Sequence, residues 1–472
     1  MQPALQRKNL RRASNRPLAV GKRLNTPQKT VPLRVSESHV HAQQKVFSAA
    51  ISPVRPPRRP WSKGPLLVLP AGLLSLSSTH WGWENLLLLL ACAIFAVLVL
   101  RPKNEIWPIR LGLCDWGMLL VLVYEVPALI LSRYRSNGFS SLKTVCAAAM
   151  FYCIIRLAAR QSWRVPGLAA AIGTGGVYLS WLAISQAGGE IGALAAVGFS
   201  DLVSFRSRLV SAPWIPGEWF TLVLLTLPFA FAVPAFFCAG RQWNWAAVTV
   251  PMALVIAAAL LLSCSRAVAG GVIVFVLVVT ALAAAYRVVR LKTAAIFAAG
   301  ALCTLGLVLL AENAMFPGIA EAYVGRHASQ TRSTEGRLAI WKRSAEVFAT
   351  SPWWGVGSGK APLFLASSAD EAETTGFASR TFSLPIQILT EKGAIGAAIY
   401  LTVLILAGWE AHRKLRNPKT SPQMKAMTCC FAAGVIAVLF RELTYSSLLE
   451  HAATAMLFTM CLALLVAEEE AA

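Results

Sequence analysis

Arginine recurs where this sequence is otherwise most apolar. Arg133, Arg135, Arg206, Arg208, Arg266, Arg326, Arg332, Arg337, Arg380 and Arg441 fall at the ends of apolar runs or in the segments between them. Arg266 and Arg441 stand at the very ends of such runs. A guanidinium at a membrane boundary is costly unless it has a partner. Any one of these arginines is explained by snorkelling, or by pairing with Glu335, Glu391 or Glu442. The set as a whole reads as an anion site, because the planar guanidinium fork grips phosphate through two parallel hydrogen bonds. A pyrophosphate held beside an apolar bundle implies a polyprenyl-pyrophosphate lipid.

Other residue types add less. Glu391 is the carboxylate best suited to orient an arginine or accept a proton, and a cap or ion pair near a helix start explains it equally well. Trp214, Trp353 and Trp354 offer faces on which sugars stack, though membrane interfaces also favour Trp. Gly355-Val-Gly-Ser-Gly-Lys360 resembles a nucleotide loop but has Trp354 where that loop needs glycine and Ala361 where it needs Ser or Thr. A glycine turn that packs its segment against the bundle is the expectation. The 10 cysteines lie mostly in apolar runs with no CxxC spacing, and the 6 histidines are scattered, so no metal site and no cofactor are expected.

The elements that must position these residues are membrane spans. The chain is 56% hydrophobic and only 14% charged, with mean hydropathy +0.58. Soluble domains average about 45–50% apolar and about 25% charged. The apolar residues come in successive blocks of about 17–25, the length of a bilayer-crossing helix, and lipid leaves the backbone no other way to satisfy itself along such runs. Spans are expected at 64–80, 84–100, 112–132, 141–158, 166–187, 217–238, 244–263, 268–286, 293–311, 385–408, 426–440 and 452–467. The fold class is therefore all-α: a polytopic transmembrane helix bundle of about 12 spans. Residues 1–60, rich in Arg and Lys and without apolar periodicity, read as a disordered basic cytosolic tail ahead of a bundle over 61–472.

Charge orients the bundle. If the tail is inside, the inner connections hold Arg101, Lys103 and Arg110; Arg156, Arg160 and Arg164; Arg241; Arg287, Arg290 and Lys292; and Arg413, Lys414, Arg416 and Lys419. Each fits the positive-inside rule, with both termini cytoplasmic. The net charge of +22 is thus a topological signal, and nucleic acid is not expected as a partner. The longest outer connection, 312–384 between the ninth and tenth spans, is large enough for a small subdomain.

Several segments then resemble the O-antigen ligase and polymerase family of bacterial polysaccharide assembly. Arg208-Leu-Val-Ser-Ala-Pro-Trp-Ile-Pro216 is similar to that family's arginine-then-Pro-Asn pattern, with Gly217 in the Asn place. Ser263-Cys-Ser-Arg266 resembles its Ser-Arg signature. Gly336-Arg337-Leu-Ala-Ile-Trp341 and Ser351-Pro-Trp-Trp-Gly-Val-Gly-Ser-Gly359 resemble its Arg…Trp and Pro-x-x-Gly-x-Gly patterns. Gln387-Ile-Leu-Thr-Glu391-Lys-Gly393-Ala-Ile-Gly396 resembles the segment leading into the next helix. The likeness runs in order from about residue 110 onward. One departure stands out. Where family ligases carry His-Asn ahead of this last segment, the sequence has Phe382 and Ser383.

The resemblance implies a metal-independent glycosyltransferase of the bacterial inner membrane. A glycan on undecaprenyl pyrophosphate would be the donor, and an acceptor glycan or lipid A-core would receive it. Arg208, Arg266 and Arg337 would bind the pyrophosphate and stabilise its departure, with Arg206, Arg380 and Arg441 as further ligands and Glu391 beside them. The missing histidine favours a repeat-unit polymerase over a ligase, with Arg380 or His327 as candidate substitutes for it. A chain-length regulator is a candidate partner, and membrane lipids surround the bundle. A flippase for the same lipid is the alternative of another class; it calls for charges along a central pathway, whereas the spans are nearly free of charge, with Asp115 and Glu125 as exceptions that a helix-end partner could explain.

Overall fold

The computed structural model describes residues 111–131, 135–159, 164–197, 216–315, 328–359, 361 and 381–467. The expected tail 1–60 and the expected spans 64–80 and 84–100 lie outside them. Among the described residues there are eleven helices and no strand. They are α1 (Leu113–Leu131), α2 (Arg135–Ala158), α3 (Val165–Val197), α4 (Pro216–Ala239), α5 (Trp243–Leu262), α6 (Arg266–Ala285), α7 (Leu291–Met315), α8 (Ala328–Thr350), α9 (Leu384–Arg416), α10 (Pro422–Glu442) and α11 (Ala452–Leu465). Nine of them are long and apolar enough to cross a membrane; α8 is not among these, and α11 is apolar but shorter. The remaining ten expected spans all fall on helices of this set.

Helix α4 is the hub. Its residues from Phe220 to Ala230 are buried without interruption, and α3, α5, α10 and α11 pack on it. Small residues on its neighbours permit the approach. A Cβ at Gly434 of α10 would lie 2.5 Å from Pro228, so α10 seats against the proline face of α4. Prolines 228 and 234 inside α4 are tolerated because neighbouring helices cover the backbone groups they free. By contrast, Ala294 and Glu312 are the buried residues of α7, so it rides on the outside of the bundle with Ile296, Leu307 and Leu310 exposed.

The two ends of the bundle differ in chemistry. At one end Asp115 of α1 accepts from Arg156 of α2 through both carboxylate oxygens, at 3.1 and 3.0 Å, and from Tyr152 at 2.6 Å. Arg156 also donates to the carbonyl of Val466, and Lys414 to that of Ala467, which ties down the end of α11. Glu410 of α9 accepts the Cys114 amide at 2.9 Å and Asp115 that of Gly112 at 2.7 Å, so the unpaired amides at the start of α1 are capped twice. Arg241, Arg287, Arg290, Lys292, Arg413 and Arg416 belong to this end by helix direction.

At the other end lie α8, the starts of α4, α6 and α9, and the turn 443–451. That turn is not helical, yet Ser446, Ser447 and Leu448 are buried. Helix α11 has 14 residues, about 21 Å at 1.5 Å per residue, against about 30 Å of hydrocarbon. The buried turn carries the chain on beyond the start of that short helix. Irregular backbone at that depth needs internal partners, and the Glu442 carboxylate supplies them, accepting the amides of Ser447 at 2.8 Å and Leu448 at 3.3 Å.

Candidate functional site

Helix α8 delivers Arg337 to this second end. Its Trp341 donates Nε1–H to the carbonyl of Thr381 at 2.9 Å, which pins the helix beside the start of α9. Arg337, half-buried, then lies over the ring of Phe382, with its guanidinium carbon 5.5 Å from the centroid. Phe382 has φ +51, a conformation unusual for a side chain that bulky. It meets Tyr445 edge-on at 6.2 Å, and Tyr445 in turn lies 4.0 Å beneath the guanidinium of Arg441. The result is a row of two rings between two cations, Arg337–Phe382–Tyr445–Arg441. Phe382, in the position where family ligases carry histidine, is its second member.

Arg441 is buried and committed to this architecture. Its Nη1 donates to Glu442 Oε1 at 2.5 Å and to Ser447 Oγ at 3.2 Å. Ser447 Oγ also donates to Glu442 at 2.7 Å and reaches Thr221 of α4 at 3.2 Å. Of the candidate counter-charges, Glu442 is thus the one bonded to Arg441. Arg266 is placed differently. It opens α6 after the tight turn Ser263-Cys264-Ser265, in which Cys264 has φ +48 and the Ser265 amide donates to Ser263 Oγ. One turn further on, a Cβ at Gly270 would touch Phe440 at 2.9 Å, so Arg266 stands at the Arg441 end of α10. It is exposed.

The segment 351–361 packs against a break in α9. The break is Gly393, at φ +66 and ψ −171. Backbone bonds cross the gap: the Val356 amide to Thr390 at 2.9 Å, Gly357 to Glu391 at 3.0 Å, Ala394 to Pro352 at 2.8 Å and Ile395 to Trp353 at 3.2 Å. Gly355, Gly357 and Gly359 all have positive φ. The glycine-rich run is therefore a packing turn, as its failed nucleotide-loop spacing led one to expect. The turn presents Trp353 outward. Trp354, also exposed, is held parallel to Tyr124 with centroids 6.4 Å apart.

Beneath the turn two adjacent charges are buried. Glu391 accepts the Ala361 amide at 3.3 Å and lies within bonding reach of the Gly359 amide and the Gln387 side chain. Here it caps the turn. Lys392 points to α1, where its ammonium donates to both oxygens of Glu125, at 2.6 Å to Oε1, and to Ser358 Oγ. Tyr400 donates to the same carboxylate at 2.8 Å, and Tyr124 to the Lys392 carbonyl at 2.6 Å.

Of the residues singled out in the sequence, Arg337 and Arg441 are joined through two rings, and Arg266 opens at the same end. Trp353 and Trp354 belong to the adjoining turn, and Glu391 lies on α9 beneath it. Arg206, Arg208, Trp214 and Arg380 lie outside the described residues. Tyr445, Lys392 and Ser358 were not singled out. Lys392 gives little signal in sequence, because Glu391 precedes it and Gly393 follows, whereas a lone charge inside an apolar span needs a partner. Glu125 was noticed for that reason. Among the described residues no group of three or more His, Cys, Asp or Glu could hold a metal ion.

Residues 251–401, which run from α5 through the middle of α9, match the family model described as O-antigen ligase. The match covers about a third of the chain, and over that stretch the chain is similar to a family that includes O-antigen ligases and polymerases. Nine of the described helices are long and apolar enough to cross a membrane, as a multi-pass protein of that kind requires. The matched domain contains Arg266, Arg337, the glycine turn, Phe382 and the Gly393 break. No curated protein matches the chain.

Proposed function

We propose that the protein transfers a glycan from undecaprenyl pyrophosphate to an acceptor-sugar hydroxyl at the periplasmic face of the inner membrane, as a repeat-unit polymerase of O-antigen or exopolysaccharide. The observation that carries this reading is the convergence, at the end away from the basic connections, of exposed Arg266, the Arg337–Phe382 contact and the tryptophans of the glycine turn. The acceptor oxygen attacks the anomeric carbon, the bond from that carbon to the phosphate oxygen breaks, and the lipid pyrophosphate departs with the electron pair. Arg266 and Arg337, with Arg208, Arg206 and Arg380, hold the pyrophosphate and stabilise the charge that grows on it. Arg441 acts from beneath, through Tyr445. Trp353, Trp354 and Trp214 align sugar faces, which turns an encounter of two long substrates into a nearly unimolecular step. The acceptor proton passes to solvent or to a carboxylate, with Glu391 as the candidate.

The description of the matched family favours a second reading, ligation of the finished glycan to lipid A-core. Phe382 and Ser383 in place of His-Asn weigh against it. The deciding experiment is Arg266→Ala and Arg337→Ala in cells lacking the native gene, with membrane expression verified and glycans resolved on a gel. Loss of long glycan with a single repeat left on lipid A-core supports the polymerase. Loss of every capped form, with lipid-linked polymer accumulating, supports the ligase. Normal glycan from both variants refutes the arginine assignment.

A further inference from the structure

The glycine turn carries Trp353 and Trp354 and covers Glu391, yet few side-chain contacts hold it to the bundle. Its attachment to α9 is mostly backbone to backbone. Three side-chain contacts add to it: Glu391 accepts the Ala361 amide, Trp354 stacks on Tyr124, and Ser358, buried, bonds to Lys392 and Glu125. Lys392 is fully buried, Glu125 nearly so, and both belong to membrane-crossing helices. Every donor of the ammonium is used: two on Glu125, one on Ser358. Glu125 also accepts from Tyr400 and Ser358, and Tyr124 grips the Lys392 carbonyl next to the Gly393 break. Three segments far apart in sequence, α1, the turn and the broken start of α9, thus meet at one ion pair. Two charges at such depth are kept at a cost in desolvation, and similar apolar residues often hold a fold as well. What the pair supplies here is register, since it fixes the turn to the helix break at a single point.

We propose that Lys392 and Glu125 form a positioning latch: the pair holds the 351–361 turn on the break in α9, and glycan transfer depends on the turn being held. This rests on the glycan-transfer reading above. Neither residue touches the substrates; both act through Ser358 and the turn. Lys392→Met leaves the Glu125 carboxylate buried without its cation, which drives the latch open. E125Q/K392M removes both charges, and the amide at 125 can still bond Tyr400 and Ser358, so the turn should re-dock.

The test reads the turn's position separately from activity. Val356, buried in the turn, is replaced by Cys in the full-length protein, and its labelling by a membrane-impermeant maleimide is followed in cells, relative to the same chain with Val356 intact. Glycan made by the Val356→Cys protein is the reference. Lys392→Met should raise labelling of position 356 at least tenfold and abolish long glycan at normal expression. E125Q/K392M should restore both protection and glycan. Arg156→Met, which breaks another buried pair at the opposite end of the bundle, should leave position 356 protected, because a local latch is not sensed there. Protection unchanged in Lys392→Met overturns the latch, as does labelling that rises equally in Arg156→Met. If labelling rises and recovers as expected while glycan never changes, the dependence of transfer on the turn is refuted. The arginine variants described above then decide independently whether the protein transfers glycan at all.

Discussion

Gly393→Ala should separate the glycine turn from its helix, and the size of the effect follows from the geometry. At φ +66 and ψ −171, Gly393 occupies a region that is essentially reserved for glycine. An alanine held there stores about 1–3 kcal/mol of backbone strain. Its Cβ would also overlap the carbonyl group of Trp353 and sit 2.6 Å from the Gly355 amide nitrogen. Those are backbone atoms, so no side chain can swing aside. The turn must retreat, and the four backbone bonds between 352–357 and 390–395 are stretched or lost, each worth about 1 kcal/mol net. Strain of about 1–3 kcal/mol in the docked state is comparable to the roughly 4 kcal/mol that the four bonds supply, so the docked–undocked equilibrium should shift by about ten- to a hundredfold. The matched control is Gly408→Ala on the same helix, where an added Cβ meets nothing within 4 Å. That change should be neutral or stabilise by about 0.5–1 kcal/mol. The assay is long-glycan synthesis by each variant at equal membrane abundance. Gly393→Ala with wild-type glycan, or Gly408→Ala with an equal loss, would refute the claim that this turn must be docked.

Phe382→Ala removes the ring between Arg337 and Tyr445. Cation–π contacts of this kind are worth about 0.5–2 kcal/mol, so transfer in membranes should fall about tenfold, while Phe382→Tyr keeps the ring and should stay within a factor of about three. A fall of equal size in both variants would mean that the pocket's shape matters rather than the ring. At the other end, Arg156→Met strands the buried Asp115 carboxylate and should cost about 3–5 kcal/mol. The midpoint of thermal unfolding in detergent should drop, and D115N/R156M should recover most of it. No recovery in the double variant would show that packing of the arginine stem, not the charge, holds that corner.

The spans were legible because their signal is redundant: apolar length, a helix as the one backbone solution in lipid, and alternating charge in the connections. Helix ends were not. The run 385–408 belongs to a helix that continues to Arg416, because its last two turns carry Glu410, His412 and Arg413 on the surfaces that face other helices and the basic end. An apolar window stops where that face begins. The break at Gly393 was equally hidden, since the apolar pattern runs through it and only the approach of Gly355 requires it. Among site residues, Arg441 and Glu442 are adjacent in sequence, and their pairing could be anticipated. The row through Phe382 and Tyr445 could not, because it joins α8 to a turn more than 100 residues later and depends on a left-handed backbone at Phe382.

The separation of Glu125 from Lys392 bears on how the chain is made. The two residues are 267 positions apart. A ribosome adding about 5–20 residues per second needs roughly 13–53 seconds to cover that distance. Helix α1 therefore enters the membrane with its carboxylate unpaired and waits, while six more crossings are threaded, before its counter-charge leaves the tunnel. Asp115, on the same helix, meets Arg156 after only 41 residues. The early pair can anchor α1 from the start of synthesis, and the late pair can close only once α9 is in place. Assembly of the glycine turn is thus among the last events in the biogenesis of this bundle, and a truncated chain ending before α9 would expose a buried acid that quality-control proteases can recognise.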